Sequence, residues 1–250
     1  MISVCMATYN GARFIREQID SILPQLGTED ELIISDDGST DGTLGILAEY
    51  AAADSRVRVL YHEKNPAYAK IKHSRNFYYA TDNFENALRQ AKGDYIFLAD
   101  QDDVWRNDKI QKIIGELQNF DLVMSNFSII DENGQMTKEK FYANSPISKK
   151  LVKSIINSNF LGSAMAFNRK ALSNVLPFPK NLLCHDLWIG CLNCRNSVFV
   201  DEPLHFYRRY NSNVSTTTGK SGNSFFYKVY WRILFFAKVK KRILQLKGAE

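Results

Sequence analysis

Residues 93–105, GDYIFLADQDDVW, place acidic side chains directly after an apolar run. The run at 95–99 has the length and composition of a buried strand, and Asp100, Asp102 and Asp103 follow it. Carboxylates at positions i and i+2 of a loop suit Mg²⁺ or Mn²⁺, which complete their shell with phosphate oxygens. The alternative is a solvated turn or a helix N-cap. However, like charges at the mouth of a buried strand are costly without a cation or donor.

Strands and helices alternate along the chain on both sides of this stretch. Such alternation predicts an α/β fold with a doubly wound, mostly parallel sheet flanked by helices, whose ligands bind at the carboxyl ends of the strands. The predicted order is strand 2–7, helix 14–23, strand 31–35, helix around 44–50, strand 56–61, helix 83–91, strand 95–99 and helix 109–117.

The second half of the sequence is less regular. It predicts a strand at 122–130, a helix near 149–156, a strand near 161–167, a helix from about His185, and short strands at 198–200 and 204–207. We interpret 1–215 as one catalytic domain, with a ligand-binding half at about 1–105 and a second half at 106–215. Residues 216–250 then form a linker and a C-terminal helix.

Two more polar segments directly follow predicted strands. They are Thr8-Tyr9-Asn10 and the turn-rich DDGSTDG at 36–42. Asp37 is available to a base or a ribose, and the small residues let backbone N–H groups approach a ligand; the alternative is a tight turn with a helix N-cap. The sequence has neither GxGxxG nor GxxxxGK[ST], so it supports neither a dinucleotide-binding fold nor a P-loop NTPase.

The positive charge of the chain is concentrated at its C-terminal end. The formal net charge is +5, and residues 220–247 contain eight Lys or Arg and no Asp or Glu. Aromatic and aliphatic residues alternate with these bases from 225 to 246, which is typical of an amphipathic helix at an anionic membrane surface. A helix packed on the catalytic domain with a solvated basic face is the alternative. The near-neutral remainder and the lack of a nucleic-acid-binding motif argue against nucleic acid as a partner.

Compartment and cysteine usage also follow from the sequence. No apolar stretch reaches about 18 residues, and residues 1–5 lack the basic start of a secretory signal, so we expect a cytoplasmic protein. The four cysteines are then reduced thiols. A zinc site near His185 is disfavoured, because CLNC at 191–194 supplies only one pair of ligands.

Five blocks in order resemble glycosyltransferase family 2, which has the GT-A fold. They are TYN (8–10), DDGSTDG (36–42), GDYIFLADQDDVW (93–105), HDLW (185–188) and YRRYNSNVS (207–215). The acidic block, together with HDLW and YRRYNSNVS, looks like bacterial rhamnosyltransferases of cell-wall and capsule polysaccharide synthesis. The resemblance implies a nucleoside-diphosphate sugar as donor, dTDP-rhamnose first and UDP-galactose, UDP-glucose or an N-acetylated sugar as alternatives.

The resemblance also implies roles for single residues of the first half. Thr8 and Tyr9, with Asn10 beside them, would hold the nucleotide base, and Asp37 would accept a hydrogen bond from it. In the acidic block, the implied roles are ribose for Asp100, metal for Asp102 and the sugar pocket for Asp103, while Arg208 would face the diphosphate.

In the second half, Asp186 matches the general base of the family. Transfer with inversion needs a carboxylate to deprotonate the acceptor hydroxyl while the nucleoside diphosphate leaves from the opposite face, where a metal stabilises the phosphate charge. We expect His185 to orient Asp186 or touch the acceptor, and Trp188 to stack on an acceptor sugar; the alternative for Trp188 is the core. The acceptor would be a glycan or a lipid-linked glycan, at the membrane that the basic segment 223–247 would contact.

Two features of the sequence depart from the family pattern, and one loop argues against a competing enzyme class. A histidine often stands where this chain has Tyr210, and 66–81 reads as an insertion without an assigned role. Sugar-phosphate nucleotidylyltransferases share a similar sheet but carry GxGTR after the first strand, and TYNGARF at 8–14 is not that loop.

Overall fold

The computed structural model describes residues 1–71, 74–210 and 225–248, with side chains from 229 in the last segment. The strands are β1 (Ile2–Thr8), β2 (Glu31–Asp36), β3 (Val57–Tyr61), β4 (Tyr95–Asp100), β5 (Val104–Trp105), β6 (Leu122–Ile130), β7 (Met136–Lys138), β8 (Met165–Asn168) and β9 (Ser197–Arg208). The helices are α1 (Ile15–Ile22), α2 (Thr43–Ala53), α3 (Arg75–Gln90), α4 (Lys109–Leu117), α5 (Leu151–Asn157), α6 (Arg169–Val175), α7 (His185–Asn193) and α8 (Phe225–Lys247).

The strands form one mixed sheet in the order β3-β2-β1-β4-β8-β6-β9-β5, with β7 paired to β6. Strands β1 to β4 are mutually parallel, and β8 runs antiparallel between β4 and β6. The predicted α/β sheet is therefore confirmed. Its parallel half brings the carboxyl ends of β1, β2 and β4 to one edge.

The sheet has a hydrophobic core on each face, because successive side chains of a strand point to opposite sides. In β1, Val4 and Met6 pack with α1 and α4, whereas Cys5 packs with α3 on the other side. All three are fully buried. Burial on both faces explains why these strands read as continuous apolar runs.

The second half departs from the predicted strand boundaries. The strands expected at 198–200 and 204–207 are one strand, β9, whose register against β6 shifts around Asn126, the residue paired with Pro203. Proline cannot donate a ladder hydrogen bond, and this local irregularity makes one strand read as two. The strand expected near 161–167 begins only at Met165.

Helix α8 packs on the preceding part of the chain along one side. Phe235 and Val239 are 3% and 0% exposed and belong to the same core as α7. Phe235 meets Trp188 of α7 edge to face, with ring centroids 6.3 Å apart. Tyr230, Ile233 and Leu244, on the opposite side of the helix, are 60–62% exposed.

Candidate active site

A cavity of about 750 Å³ opens where β1, β2 and β4 end. The register places Thr8 opposite Asp36 and Ala7 opposite Asp100. The predicted residues Thr8, Tyr9, Asn10, Asp37, Asp100 and Asp102 all line this cavity. Side chains that are far apart in sequence therefore meet at the expected edge of the sheet.

Gln101 fixes the end of β1 to the acidic loop. Its Oε1 accepts hydrogen bonds from Thr8 Oγ1 at 2.7 Å and from the Tyr9 backbone N–H at 2.8 Å, and its Nε2 donates to the Tyr9 carbonyl at 3.1 Å. A Cβ on Gly11 would lie 2.4 Å from Gln101 Oε1, so this position has room only for glycine. The sequence prediction missed Gln101. Its place inside the acidic block was the available signal.

The DDGSTDG segment serves as both a turn and a wall of the site. Asp36 Oδ1 accepts hydrogen bonds from the backbone N–H groups of Gly38 and Ser39 at 2.9 and 2.8 Å. Gly38 has φ +76°, a left-handed conformation that favours glycine. Asn10 joins this turn, because its N–H donates to Ser39 Oγ at 2.8 Å. The two interpretations of the segment are thus compatible.

Asp37 lines the cavity, and its carboxylate contacts His62. Its side chain is 3% exposed, and its Oδ1 lies 2.5 Å from His62 Nδ1. This contact fixes the carboxylate toward a ligand and leaves its second oxygen for an N–H donor. His62 follows β3, where the sequence offered no motif, so only the tertiary structure identifies it.

Asp100 and Asp102 crowd two carboxylates into one wall of the cavity. Burial, followed by repulsion from Asp102 and Asp186, raises the pKa of Asp100 to about 7. Burial also raises the pKa of Asp102, although Tyr210 donates its hydroxyl hydrogen bond to Asp102 Oδ2 at 2.8 Å. Tyr210 therefore contacts the predicted metal-binding carboxylate at the position where the family often has histidine.

These two carboxylates fit a divalent cation. Both are oxygen donors, and their raised pKa values show that the site favours neutralisation of their charge. No group of three or more His, Cys, Asp or Glu side chains suited to a metal occurs among the described residues. Asp100 and Asp102 would suffice only for a cation such as Mg²⁺ or Mn²⁺ that completes its shell with ligand phosphates.

Asp103 does not line the cavity, contrary to the sequence prediction. It is 1% exposed, and its Oδ1 accepts a hydrogen bond from the Arg208 N–H at 3.1 Å. His205 Nε2 lies 3.7 Å from its Oδ2, and nearby Lys109 donates from Nζ to the Ser163 carbonyl at 2.8 Å. Burial lowers the pKa of Lys109 to about 7 and raises that of Asp103. Asp103 anchors the acidic loop to β9.

Arg208 also lies beneath the loop and outside the cavity lining. It is 2% exposed, its Nη2 lies 2.5 Å from Glu17 Oε2, and its Nε donates to the Asp102 carbonyl at 2.9 Å. The guanidinium packs 4.5 Å from the ring centroid of Phe14. In this structure Arg208 supports the acidic loop, and the expected contact with a diphosphate is not formed from this position.

His185 and Asp186 begin α7 behind one wall of the cavity. His185 Nε2 lies 2.7 Å from Asp186 Oδ1, and the His185 backbone N–H donates to Thr81 Oγ1 at 3.2 Å. The imidazole stacks on Phe84, a cavity-lining residue, with centroids 4.2 Å apart. A Cβ on Gly162 would lie 2.4 Å from Asp186 Oδ1, so the glycine gives this carboxylate its room.

Trp188 is a core residue, and its predicted role in acceptor binding is wrong for this structure. The side chain is 1% exposed, and Nε1 donates to the Val175 carbonyl at 3.0 Å. No ring face is left for a sugar. The helical spacing of Trp188 from His185 suggested a shared surface, but Phe235 of α8 packs against the Trp188 ring.

Further cavity residues come from the segment 66–81 and its surroundings. Arg75 to Ala80 are the first turns of α3, which begins eight residues before the predicted helix. The sequence did not predict that these residues line the cavity, because they belong to no recognised motif. The lining residues of this group are Lys64, Arg75, Asn76, Tyr79 and Ala80.

The sequence comparisons identify the family of the chain. Residues 3–176 match the family described as Glycosyl transferase family 2. The Bacillus subtilis protein named "Putative teichuronic acid biosynthesis glycosyltransferase TuaG" is 25% identical, over 97% of this chain and 98% of its own length. The Campylobacter jejuni protein named "GalNAc(5)-diNAcBac-PP-undecaprenol beta-1,3-glucosyltransferase" is 25% identical, over 98% of this chain and 75% of its own length.

The solved structures bear on the fold. TarS 1-349 of S. aureus in complex with UDP-GlcNAc aligns with a TM-score of 0.66 at 19% identity, over 93% of this chain. This chain covers 65% of that TarS chain, which is longer. The likeness confirms the predicted GT-A fold.

Proposed function

Since the chain belongs to glycosyl transferase family 2 and is a glycosyltransferase, we propose that it moves a hexose with inversion from a nucleoside-diphosphate sugar to a bacterial surface glycan. The observation that carries the donor class is the pairing of Asp37 with the Asp100 and Asp102 wall across one cavity. A carboxylate suits the N–H of a pyrimidine, and the acidic wall suits a cation with its phosphates.

The roles within the cavity follow the strand ends. Tyr9, which is 46% exposed, offers a ring for stacking on the base, and Asp37 offers the acceptor oxygen beside it. Asp100 binds the ribose and Asp102 the divalent cation. When bound, that cation neutralises charge that develops on the leaving diphosphate.

Asp186 is the proposed general base. It takes the proton of the acceptor hydroxyl, while that oxygen forms the new glycosidic bond and the bond from the sugar to the diphosphate breaks. His185 Nε2 lies 2.7 Å from Asp186 Oδ1, and the imidazole is positioned by Phe84 and by Thr81 Oγ1, 3.4 Å from its Nδ1. The influence of Asp186 on the pKa of Asp100 supports its closeness to the donor site.

The identity of the donor is a choice between two candidates. The acidic block with HDLW favours dTDP-rhamnose. The C. jejuni relative, whose name gives a glucosyltransferase, favours UDP-glucose. We propose dTDP-rhamnose first and UDP-glucose or a related UDP-sugar second.

The donor class is tested by thermal shift. The purified protein is heated with Mn²⁺ and UDP, dTDP, GDP or ADP in parallel, each with an EDTA control, because a ligand that binds only the folded state raises the Tm. Stabilisation by dTDP or UDP that EDTA abolishes is the expected result, and it selects the donor nucleotide. If none of the four raises the Tm, the proposed function fails.

A lipid-linked acceptor at the inner face of the cell membrane is the second part of the proposal. None of the helices in the described ranges is long and apolar enough to cross a bilayer. The outer side of α8 instead combines exposed Ile233 and Leu244 with exposed Lys240 and Lys241, a pattern that suits peripheral binding to anionic lipid. The name of the C. jejuni relative gives an undecaprenol-linked acceptor, which agrees with this position.

Exposed apolar residues of α5 lie beside α8 and extend its exposed apolar surface. Val152 and Ile156 of α5 are each 58% exposed, and Arg232 of α8 donates a hydrogen bond from Nη2 to the Ile156 carbonyl at 3.1 Å. The two helices therefore offer one combined surface to a membrane. Because the inner side of α8 packs on α7, which begins with His185 and Asp186, this surface is one helix away from the proposed base.

A further inference from the structure

The last part of the segment 66–81, from Arg75 onward, builds one wall of the cavity. This part forms the first turns of α3, where Arg75, Asn76, Tyr79 and Ala80 lie on one helical face at spacings of one, four and five residues. The same face continues to Asn83, whose Nδ2 donates to the Thr8 carbonyl at 3.2 Å. The extra turns of α3 thus rise from the base of the site toward its mouth.

This wall contributes positive charge to a cavity that otherwise presents carboxylates. The basic side chains that line the cavity, among the residues described, are Arg13, Lys64 and Arg75. Arg13 is paired with Glu132 at 2.9 Å. Neither Lys64 nor Arg75 has a carboxylate at ion-pair distance in the described part of the chain. Their charge is available to an anionic ligand.

The ammonium group of Lys64 lies over the face of the Tyr9 ring, on which the nucleotide base is proposed to stack. Its Nζ lies 2.9 Å from the ring centroid of Tyr9 and 5.7 Å from that of Tyr79. A cation–π contact at a partly exposed site is weak compared with a charge-assisted hydrogen bond, so a phosphate group competes well for this ammonium. A base that stacks on this face of Tyr9 displaces Lys64 and leaves its charge inside the cavity.

A diphosphate group in this cavity needs cationic partners. Without a bound cation the Asp100 and Asp102 wall repels it, and Arg208, the basic side chain expected there, lies beneath the loop in contact with Glu17. We propose that Lys64 and Arg75 bind the diphosphate of the donor nucleotide, an inference that rests on the proposed function. Lys64 and Arg75 then take over a task that the family resemblance implied for Arg208.

The test compares nucleotides with nucleosides. Dissociation constants are measured in the presence of Mg²⁺ for UDP and uridine, and for dTDP and thymidine, by calorimetry or NMR titration. The variants are Arg75→Ala, Arg75→Lys and Lys64→Ala, with Lys70→Ala as the control, because exposed Lys70 lies in the same segment but outside the cavity lining. Arg75→Ala should weaken diphosphate binding about tenfold or more, the usual size of a charge-assisted contact, and change nucleoside binding less than about twofold.

The remaining outcomes separate this proposal from the proposed function. Lys64→Ala should weaken diphosphate binding but leave nucleoside binding equal or tighter, because a competitor for Tyr9 is removed. Arg75→Lys should recover part of the lost affinity. If the wild type binds UDP or dTDP and both alanine variants keep the full affinity, or lose nucleoside affinity equally, this assignment is overturned. A wild type that binds no nucleotide overturns the proposed function itself.

Discussion

Asp100 shows how one carboxylate carries opposite consequences for stability and for ligand binding. It ends a strand that is buried on both faces, and burial raises its pKa to about 7 from an ordinary value of 3.8. Ionisation in the folded protein is therefore costly, while the ionised form is the one that attracts a cation. The ionised Asp100 that would bind a cation therefore lowers the free energy of unfolding of the ligand-free protein.

Replacing Asp100 by Asn should stabilise the ligand-free protein in a pH-dependent way. Because the folded-state pKa lies above the unfolded one, the stability of the neutral carboxyl is complete below pH 4 and is lost as the pH rises to about 7. The variant escapes this loss, so in EDTA its advantage in the free energy of unfolding should grow over that range by up to about 1.4 kcal/mol per pH unit and then level off, and its Tm difference from the wild type should follow. Tm values from pH 5 to 8 check this, with Asp94→Asn as the exposed control. An advantage that does not vary with pH would contradict it.

Asp186→Asn should separate chemistry from binding. Loss of a general base typically costs about 10²–10⁴-fold in rate, whereas a residue outside the cavity lining contributes little to nucleotide affinity. Transfer to acceptor and the dissociation constant of the donor nucleotide are measured on the same preparation, with Asp94→Asn again as control. Retained transfer removes Asp186 from the mechanism.

Helices α3 and α8 are each packed against the core on one side only. Each has one side fixed by the core and another side left for a ligand or partner. In α8 the fixed side rests on Phe235 and Val239, which contact the core around α7. The orientation of the helix, and with it the position of the exposed apolar residues, depends on those few buried side chains.

Phe235→Ala should release α8 from the domain. Removing a buried phenylalanine costs about 3 kcal/mol or more, and here most of that loss falls on the docking of one helix. Hydrogen exchange should speed up across α8 while the sheet stays protected. Phe236→Ala, one residue along at 38% exposure, is the matched control and should change little. Equal protection of α8 in the two variants would show that Phe235 does not hold it.

For the whole molecule, the basic end of the chain and the active site share one hydrophobic core. Trp188 links α7, which begins with the proposed base, to α8, which carries the exposed lysines. A protein bound to a membrane through α8 and α5 would therefore hold its acceptor site in a defined relation to the lipid surface. Deleting α8 would uncover core residues as well, so point variants test membrane binding better.

The double variant Ile233→Asn with Leu244→Asn should lose affinity for anionic vesicles. Burying one such side chain gains about 1.5–3 kcal/mol, so removing two should lower binding at least about tenfold. Co-sedimentation with phosphatidylglycerol vesicles measures this, at low and high salt. Tyr61→Asn, a similarly exposed hydrophobic residue on β3, is the control. Unchanged sedimentation of the double variant would exclude α8 as the membrane contact.

Local patterns were enough for the parallel half of the sheet. Buried strands read as short apolar runs, and polar residues after 2–7, 31–35 and 95–99 identified the edge where the site forms. Most residues placed there from sequence do line the cavity. Periodicity and strand-end position depend only on near neighbours, and the sequence contains that information directly.

The tertiary structure alone decided which of two neighbouring acids faces the ligand and which is buried. Asp102 points into the cavity and Asp103 into the core, because β9 brings Arg208 and His205 against the loop from a hundred residues away. Likewise, α8 turned Trp188 into a core residue, and the start of α3 at Arg75 brought an unassigned segment to the cavity. Each outcome depends on contacts between distant segments, whose free energies outweigh the local preferences that a sequence displays.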